Sequence, residues 1–277
     1  MFRKRLNINK IKNLIGETPL VKISDKIYAK LEMYNPSGSI KDRMVSHIIR
    51  RELIYGNISD ETVLCEVTSG NTGISLSMMA ASIGSSCIIF VPKDIPKERT
   101  RLMEVYGAKI IETPPGDYQG AINMRDAYLH ANPNSWSMKQ FSNSLNVDCH
   151  ERNTAPEIHK QIIDLGKKWG AFVYGSGTGG TIEGIRKYLQ YNNMKTKVCM
   201  VTPDKSSPGG IPGINSGNGF LTSREHMDRI IQISPSAALE RTKEFAEKTG
   251  LLVGISSGAN ILAAERWVEE NRPSGIV

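Results

Sequence analysis

Lys41 lies in the stretch Asn35-Pro36-Ser37-Gly38-Ser39-Ile40-Lys41-Asp42-Arg43, and Thr68-Ser69-Gly70-Asn71-Thr72-Gly73 follows shortly after it. A lysine beside the end of a strand, with a glycine-rich anion cradle next in the chain, suits Schiff-base chemistry with an aldehyde. An ordinary lysine amine is protonated at neutral pH and is no nucleophile. Burial or a nearby cation lowers its pKa and frees the lone pair. An isolated lysine in the first turn of a helix would read as a surface residue; here the surroundings argue otherwise.

The stretch Thr68–Gly73 follows a strand and opens a helix. Its glycines let backbone N–H groups converge, and its hydroxyls and the Asn71 amide add donors, so a carboxylate or phosphate fits there. Gly175-Ser176-Gly177-Thr178-Gly179-Gly180-Thr181 has the same setting. Gly175, Gly177 and Gly180 match G-x-G-x-x-G, and Asp204 ends the next strand near the distance a dinucleotide fingerprint expects. A nicotinamide-binding domain is therefore one reading. It leaves Lys41 and the first loop without a task, whereas Thr178 and Thr181 suit a phosphate monoester. Two anion cradles and one lysine fit pyridoxal 5′-phosphate better: one loop for its phosphate, the lysine for its aldehyde, the other loop for an amino-acid carboxylate.

The elements that must position these groups alternate. Strands are expected over Ile27–Leu31, Thr62–Val67, Cys87–Val91, Lys109–Glu112, Phe172–Tyr174, Lys197–Val201 and Ile230–Ile233, with another beginning at Ile276-Val277. Helices are expected over Ile40–Leu53, Ile74–Ile83, Lys97–Tyr106, Pro156–Leu165, Thr181–Leu189 and Pro235–Lys248, and from Ser257 to Asn271. Ser234 is the expected N-cap and Gly250 the expected stop of the Pro235 helix. Repeated strand–loop–helix units predict an α/β fold with mostly parallel sheets flanked by helices. The rhythm breaks near Gln140–Asn146, so two domains are expected: 36–142, carrying Lys41 and the first loop, and 1–35 with 143–277, carrying the second.

With 277 residues, 39% hydrophobic and 23% charged, the chain can bury two modest cores. Apolar runs are too short to span a membrane, and the N-terminus lacks a signal-peptide core, so a cytoplasmic setting is expected. Net charge is +7, but only 6% of residues are aromatic and the basic residues form no stripe. That pattern disfavours nucleic acid and suits anionic small molecules. Cys65, Cys87, Cys149 and Cys199 show no C-x-x-C spacing, so neither a disulfide framework nor a metal site is expected. Cys149-His150 is not read as a nucleophile pair, because sequence neighbours do not face each other on a helix.

Several segments in order resemble the fold-type II pyridoxal-phosphate family of cysteine synthases (O-acetylserine sulfhydrylases), tryptophan synthase β-like in fold, and the core of cystathionine β-synthase. They are Ile15-Gly16-Glu17-Thr18-Pro19-Leu20, the Lys41 and Asn71 segments, Tyr106-Gly107-Ala108, Gln140-Phe141, Pro156-Glu157-Ile158, Gly177–Thr181 and Gly254–Ala259. Gly210-Ile211-Pro212-Gly213-Ile214 is closer to the B-type isozyme than to the A-type.

The resemblance implies that Lys41 holds the cofactor and later moves the substrate α-proton, and that Asn71 bonds the cofactor's 3′-oxygen. It implies that Gly177, Thr178, Gly179, Gly180 and Thr181 cradle the phosphate. Thr68, Ser69, Gly70, Thr72 and Gln140 would hold the substrate carboxylate, with the Gly213 backbone near the reacting substrate. The implied reaction is β-replacement of O-acetyl-L-serine by sulfide or thiosulfate to give L-cysteine, in a homodimer, with serine acetyltransferase as a further partner. Cystathionine β-synthase-like activity is the alternative within the family. The family places a Ser, Thr or Cys at the pyridine nitrogen on a strand after the last helix. This sequence halts at Ser274-Gly275-Ile276-Val277, so a pseudoenzyme that keeps cofactor or partner binding is a further expectation.

Overall fold

The computed structural model describes residues 11–68, 70–215 and 220–277. In chain order these form β1 (Leu20–Lys22), β2 (Tyr28–Lys30), α1 (Lys41–Ile54), β3 (Val63–Val67), α2 (Asn71–Ile83), β4 (Cys87–Pro92), α3 (Lys97–Val105) and β5 (Lys109–Thr113). Then come α4 (Tyr118–Ala131), β6 (Ser135–Ser137), α5 (Leu145–Cys149), a π-helical turn over His150–Thr154, α6 (Ala155–Asp164), β7 (Ala171–Gly175) and α7 (Gly180–Tyr191). β8 (Lys197–Pro203), β9 (Arg229–Ile233), α8 (Pro235–Thr249) and α9 (Ile255–Asn271) follow, and short 3-10 helices lie at Glu32–Tyr34 and Arg224–His226. The fold is α/β with parallel sheets flanked by helices.

Two compact units emerge. One comprises Glu32–Lys139 with the N-terminal segment to Thr18; the other comprises Pro19–Leu31 and Gln140–Val277.

The first unit is built on a parallel sheet of order β5-β4-β3-β6. All six residues of β4 are buried, as a strand covered on both faces requires. Side chains alternate across it. Cys65, Val67, Ile88 and Phe90 form one core with Ala121 of α4, and Ile122, Tyr128 and Leu129 pack on its rim. On the other face Cys87 meets Ser77 of α2, Sγ to Oγ 3.9 Å. The C-terminal end of β3 leads through Thr68 and Gly70 into α2, which puts that helix N-terminus at the edge where parallel α/β sheets bind ligands.

The second unit has a parallel sheet of order β7-β8-β9 and the antiparallel hairpin β1–β2. Val198 and Met200 pack with Ala155 and Ile158 of α6 and with Ile182 and Ile185 of α7. On the opposite face Val201 and Ile233 pack with Ala238, Ala259 and Ala263 of α8 and α9. Ile276 makes an isolated parallel bridge to Trp169. Ser234 caps α8 by accepting from the Ala237 N–H at 3.3 Å, and Gly250 closes it.

Several elements differ from the sequence reading. α2 starts at Asn71 rather than Ile74, because the Gly73 and Ile74 N–H groups already donate to the Gly70 carbonyl. Asn71 and Thr72 are therefore first-turn helical residues rather than loop. α4 was not expected: among its residues only Ala121 and Arg125 are buried, too few for a clear apolar stripe, although the Asp117 cap on Gly120 N–H marks its start. The short strands β1 and β6 and the helical run Leu145–Thr154 were likewise not anticipated.

None of the four cysteines forms a disulfide, and all four are buried. Among the described residues no helix is long and apolar enough to cross a membrane.

Candidate active site

In the first unit Lys41 is the first residue of α1. It keeps partial exposure, yet the atoms packed around its amine strip away water, and this desolvation drives its pKa below the ordinary lysine value. The Glu32 carboxylate acts in the opposite sense, favouring the ammonium. Glu32 is itself engaged: Arg43 Nε donates to its Oε2 at 2.7 Å and Arg43 Nη2 to its Oε1 at 2.8 Å. Thr18 Oγ1 and Asn35 Nδ2 donate to the same carboxylate at 2.7 and 2.8 Å. The amine thus sits near a carboxylate whose charge is already shared among other donors.

The anion loop belongs to the same unit. Thr68 and Thr72 are buried. Thr68 Oγ1 accepts from the Gly70 N–H at 3.3 Å, which curls the loop into the N-terminus of α2, where Asn71 stays exposed. A Cβ at Gly70 would come within 2.9 Å of Arg99 Nη1, so a guanidinium packs directly on the loop. Helix end and cation both favour an anion here. Ser69 lies outside the described residues.

In the second unit Gly177–Thr181 joins β7 to α7. Gly179 caps the helix at φ +89°, a conformation that favours glycine, and a Cβ there would meet the Thr222 backbone N at 2.9 Å. A Cβ at Gly177 would lie 2.6 Å from the Gly213 carbonyl oxygen, which brings the exposed Gly213 beside this loop. Asn146 fastens the loop from the side, its Nδ2 donating to Thr178 Oγ1 at 2.9 Å and to the carbonyl of the buried Gln140 at 3.0 Å. His150, at the head of the π-helical turn, bonds Thr181 Oγ1 through Nε2 at 3.1 Å and Thr154 Oγ1 through Nδ1 at 2.9 Å. The Ser176 hydroxyl, with the residue only 1% exposed, has no protein partner.

The structure thus gathers Lys41, Thr68, Gly70, Asn71 and Thr72 in one unit, and Gln140, Gly177–Thr181 and Gly213 in the other. The sequence reading gives Glu32, Arg43 and Asn146 no role in the site, and His150 enters there only as a discounted partner of Cys149. An N-x-x-x-H spacing ahead of the second loop, with Asn146 and His150 four apart, was the one local signal available for the last two.

A family model described as "Pyridoxal-phosphate dependent enzyme" matches residues 11–275. The chain belongs to the pyridoxal-phosphate-dependent enzyme family. A probable cysteine synthase from Bacillus subtilis (strain 168) is 38% identical over 282 residues, covering 96% of this chain and 91% of that protein. A cysteine synthase B from Campylobacter jejuni is 38% identical over 270 residues, covering 92% and 88%. Among solved structures, a hydrogen sulfide-producing enzyme from Fusobacterium nucleatum superposes with a TM-score of 0.86 at 34% identity, covering 95% of this chain and 93% of that one.

This pyridoxal-phosphate-dependent enzyme has residues that fit its cofactor. A desolvated lysine amine suits an aldehyde, and a glycine cradle at a helix N-terminus suits a phosphate. The unpartnered Ser176 hydroxyl adds a buried donor still short of an acceptor. Membership in the family favours this cofactor over the dinucleotide reading of Gly175–Gly180.

Proposed function

We propose that the enzyme catalyses β-replacement, converting O-acetyl-L-serine and sulfide (or thiosulfate) to L-cysteine. The observation that carries the reading is the desolvated Lys41 amine in the same unit as the N-terminus of α2, where the Arg99 guanidinium packs on Gly70. The cysteine synthase names of the Bacillus and Campylobacter relatives support it.

Pyridoxal phosphate, when bound, supplies an aldehyde for the lysine and an electron sink for the substrate α-carbon. Gly177, Thr178, Gly179, Gly180 and Thr181 hold its phosphate by backbone N–H and hydroxyl donors, and Asn71 serves its 3′-oxygen. Thr68, Ser69, Gly70, Thr72 and Gln140 bind the substrate carboxylate, and the Gly213 backbone lines the approach to the β-carbon. Lys41, whose desolvated amine is held below the ordinary lysine pKa, takes the α-proton at Nζ. Carboxylate binding draws the Asn71 turn inward and keeps water from the reacting carbon. The net change is loss of acetate from the β-carbon and gain of the sulfur nucleophile.

The same reading includes a homodimer in the cytoplasm. It also lets the carboxylate loop hold the C-terminus of a peptide such as the tail of serine acetyltransferase.

The test is direct. Purified protein mixed with pyridoxal phosphate should show the visible band of lysine-bound cofactor, and Lys41→Ala should lack it. O-acetylserine with sulfide should then yield cysteine. A parent protein without the band sinks the cofactor roles; a coloured protein that makes no cysteine sinks the substrate assignment.

A further inference from the structure

Helix α1 opens with Lys41 and Asp42 side by side. Adjacent positions on a helix point about 100° apart, so the two side chains serve different neighbours. Asp42 is fully buried, at 0% exposure. Ser37 donates its backbone N–H to Asp42 Oδ2 at 2.7 Å and its hydroxyl to Oδ1. Ser75 donates its hydroxyl to the same Oδ1. One carboxylate therefore receives three donors from two segments.

Those segments are the two chemical halves of this unit. Ser37 lies in the turn that delivers the chain to Lys41. Ser75 lies one helical turn past Asn71 and Thr72 in α2, the helix whose N-terminus forms the carboxylate loop. Burying a carboxylate is expensive: burial, opposed by the serine bonds and reinforced by the Glu32 charge, leaves Asp42 above the usual aspartate range. An apolar side chain of similar volume would fill the space at less cost. What the carboxylate adds is direction, because an anionic acceptor fixes each donor in short, strong hydrogen bonds.

We propose that Asp42 is a positioning residue that holds the Lys41 turn in register with the carboxylate-binding end of α2, so that the amine and the loop act on one bound substrate. The proposal rests on the roles given above to Lys41 and to the Thr68–Thr72 loop. Asp42 touches neither substrate nor cofactor. It acts through Ser37 and Ser75.

The experiment compares the holoenzyme with Asp42→Asn, Ser75→Ala and Ser77→Ala. Ser77 is the control: it is also buried on α2, but its hydroxyl donates to the Gly73 carbonyl of its own helix at 2.7 Å. Two readouts are taken, the kcat and KM for O-acetylserine, and the change in the visible band when acetate, a carboxylate that cannot react, is added. A misplacement near 1 Å costs about 100-fold in rate. Asp42→Asn should lower kcat by about 10- to 100-fold, with KM changed by less than about 3-fold. Ser75→Ala should move the same way by a smaller factor, and Ser77→Ala should stay at the parent value. In Asp42→Asn and Ser75→Ala the band should persist while its response to acetate shrinks.

The proposal is overturned if Ser75→Ala and Ser77→Ala behave alike, or if Asp42→Asn keeps the parent kcat and acetate response. A parent that takes up no pyridoxal phosphate overturns the functional reading and this role with it. A parent that turns over normally beside unaffected variants overturns the Asp42 role alone. If Asp42→Asn does not fold, the comparison of Ser75→Ala with Ser77→Ala decides.

Discussion

Arg43 grips Glu32 with two parallel hydrogen bonds, Nε to Oε2 at 2.7 Å and Nη2 to Oε1 at 2.8 Å, two residues beyond the lysine whose charge Glu32 influences. The Arg43 side chain is 3% exposed and that of Glu32 16%. Removing one partner of such a pair strands the other. Arg43→Gln should therefore cost about 3–5 kcal/mol in urea unfolding. Arg43→Lys should cost less, since it keeps the charge and loses only the fork. Equal losses in the two variants would show that the charge at this position is irrelevant.

Lys41 gives the apoprotein a pH signature. Its pKa is lowered in the folded state from the ordinary 10.5, so between the two values the unfolded chain carries more protons than the folded one. Stability then rises with pH through that window and levels off below the folded pKa and above 10.5. At neutral pH the buried amine is a burden. Lys41→Met should therefore raise apoprotein stability at pH 7 and flatten the rise on the alkaline side. Unfolding measured from pH 6 to pH 10 checks this; a parent curve parallel to that of the variant would refute it.

Gly177 and Gly210 offer a matched pair in the second unit. A Cβ at Gly177 would stand 2.6 Å from the Gly213 carbonyl oxygen, whereas one at Gly210 meets nothing within 4 Å. Backbone must move to admit the first. Gly177→Ala should weaken pyridoxal phosphate binding by about 10-fold or more, roughly 1.4 kcal/mol, and Gly210→Ala should leave it unchanged. Titration of the apoprotein by fluorescence reads both. Unaltered affinity in Gly177→Ala would remove that residue from the cradle.

His150 sets which way the Thr181 hydroxyl can donate. If Nε2 carries the proton, it donates to Thr181 Oγ1, Thr154 donates to Nδ1, and the Thr181 proton is left for a phosphate oxygen. His150→Leu removes the donor behind Thr181 and should lower cofactor affinity by about 10-fold, the worth of one hydrogen bond. Thr154→Val, one bond further away, should cost less. The same titration separates them, and an affinity order reversed between the two variants would break the relay.

Much of the chemistry was legible because it is local. Lys41 and both glycine loops announce themselves within a few residues, since strand, tight turn and helix N-terminus are contiguous in the chain. Ser234 and Gly250 bracket α8 for the same reason. What escaped the sequence reading depends on distant partners. Asn146 meets Thr178 across 32 positions and His150 meets Thr181 across 31. Arg43 and Thr18, which converge on Glu32, are 25 apart. No residue type or spacing marks such encounters before the chain is folded. The helix Tyr118–Ala131 escaped for another reason. Its buried positions are few, so its boundary is told by the Asp117 cap rather than by an apolar stripe.

Three of the buried thiols carry a consequence for how the protein lives with its own reagents. Burial pushes Cys65, Cys87 and Cys199 up to about 12, so at pH 7 roughly one in 100,000 of each is thiolate. At these three sulfurs there is almost no thiolate to attack an electrophilic sulfur such as the sulfane of thiosulfate. Cys65, Cys87 and Cys199 are thereby quiet toward the sulfur chemistry proposed for the site and serve as small apolar packing groups.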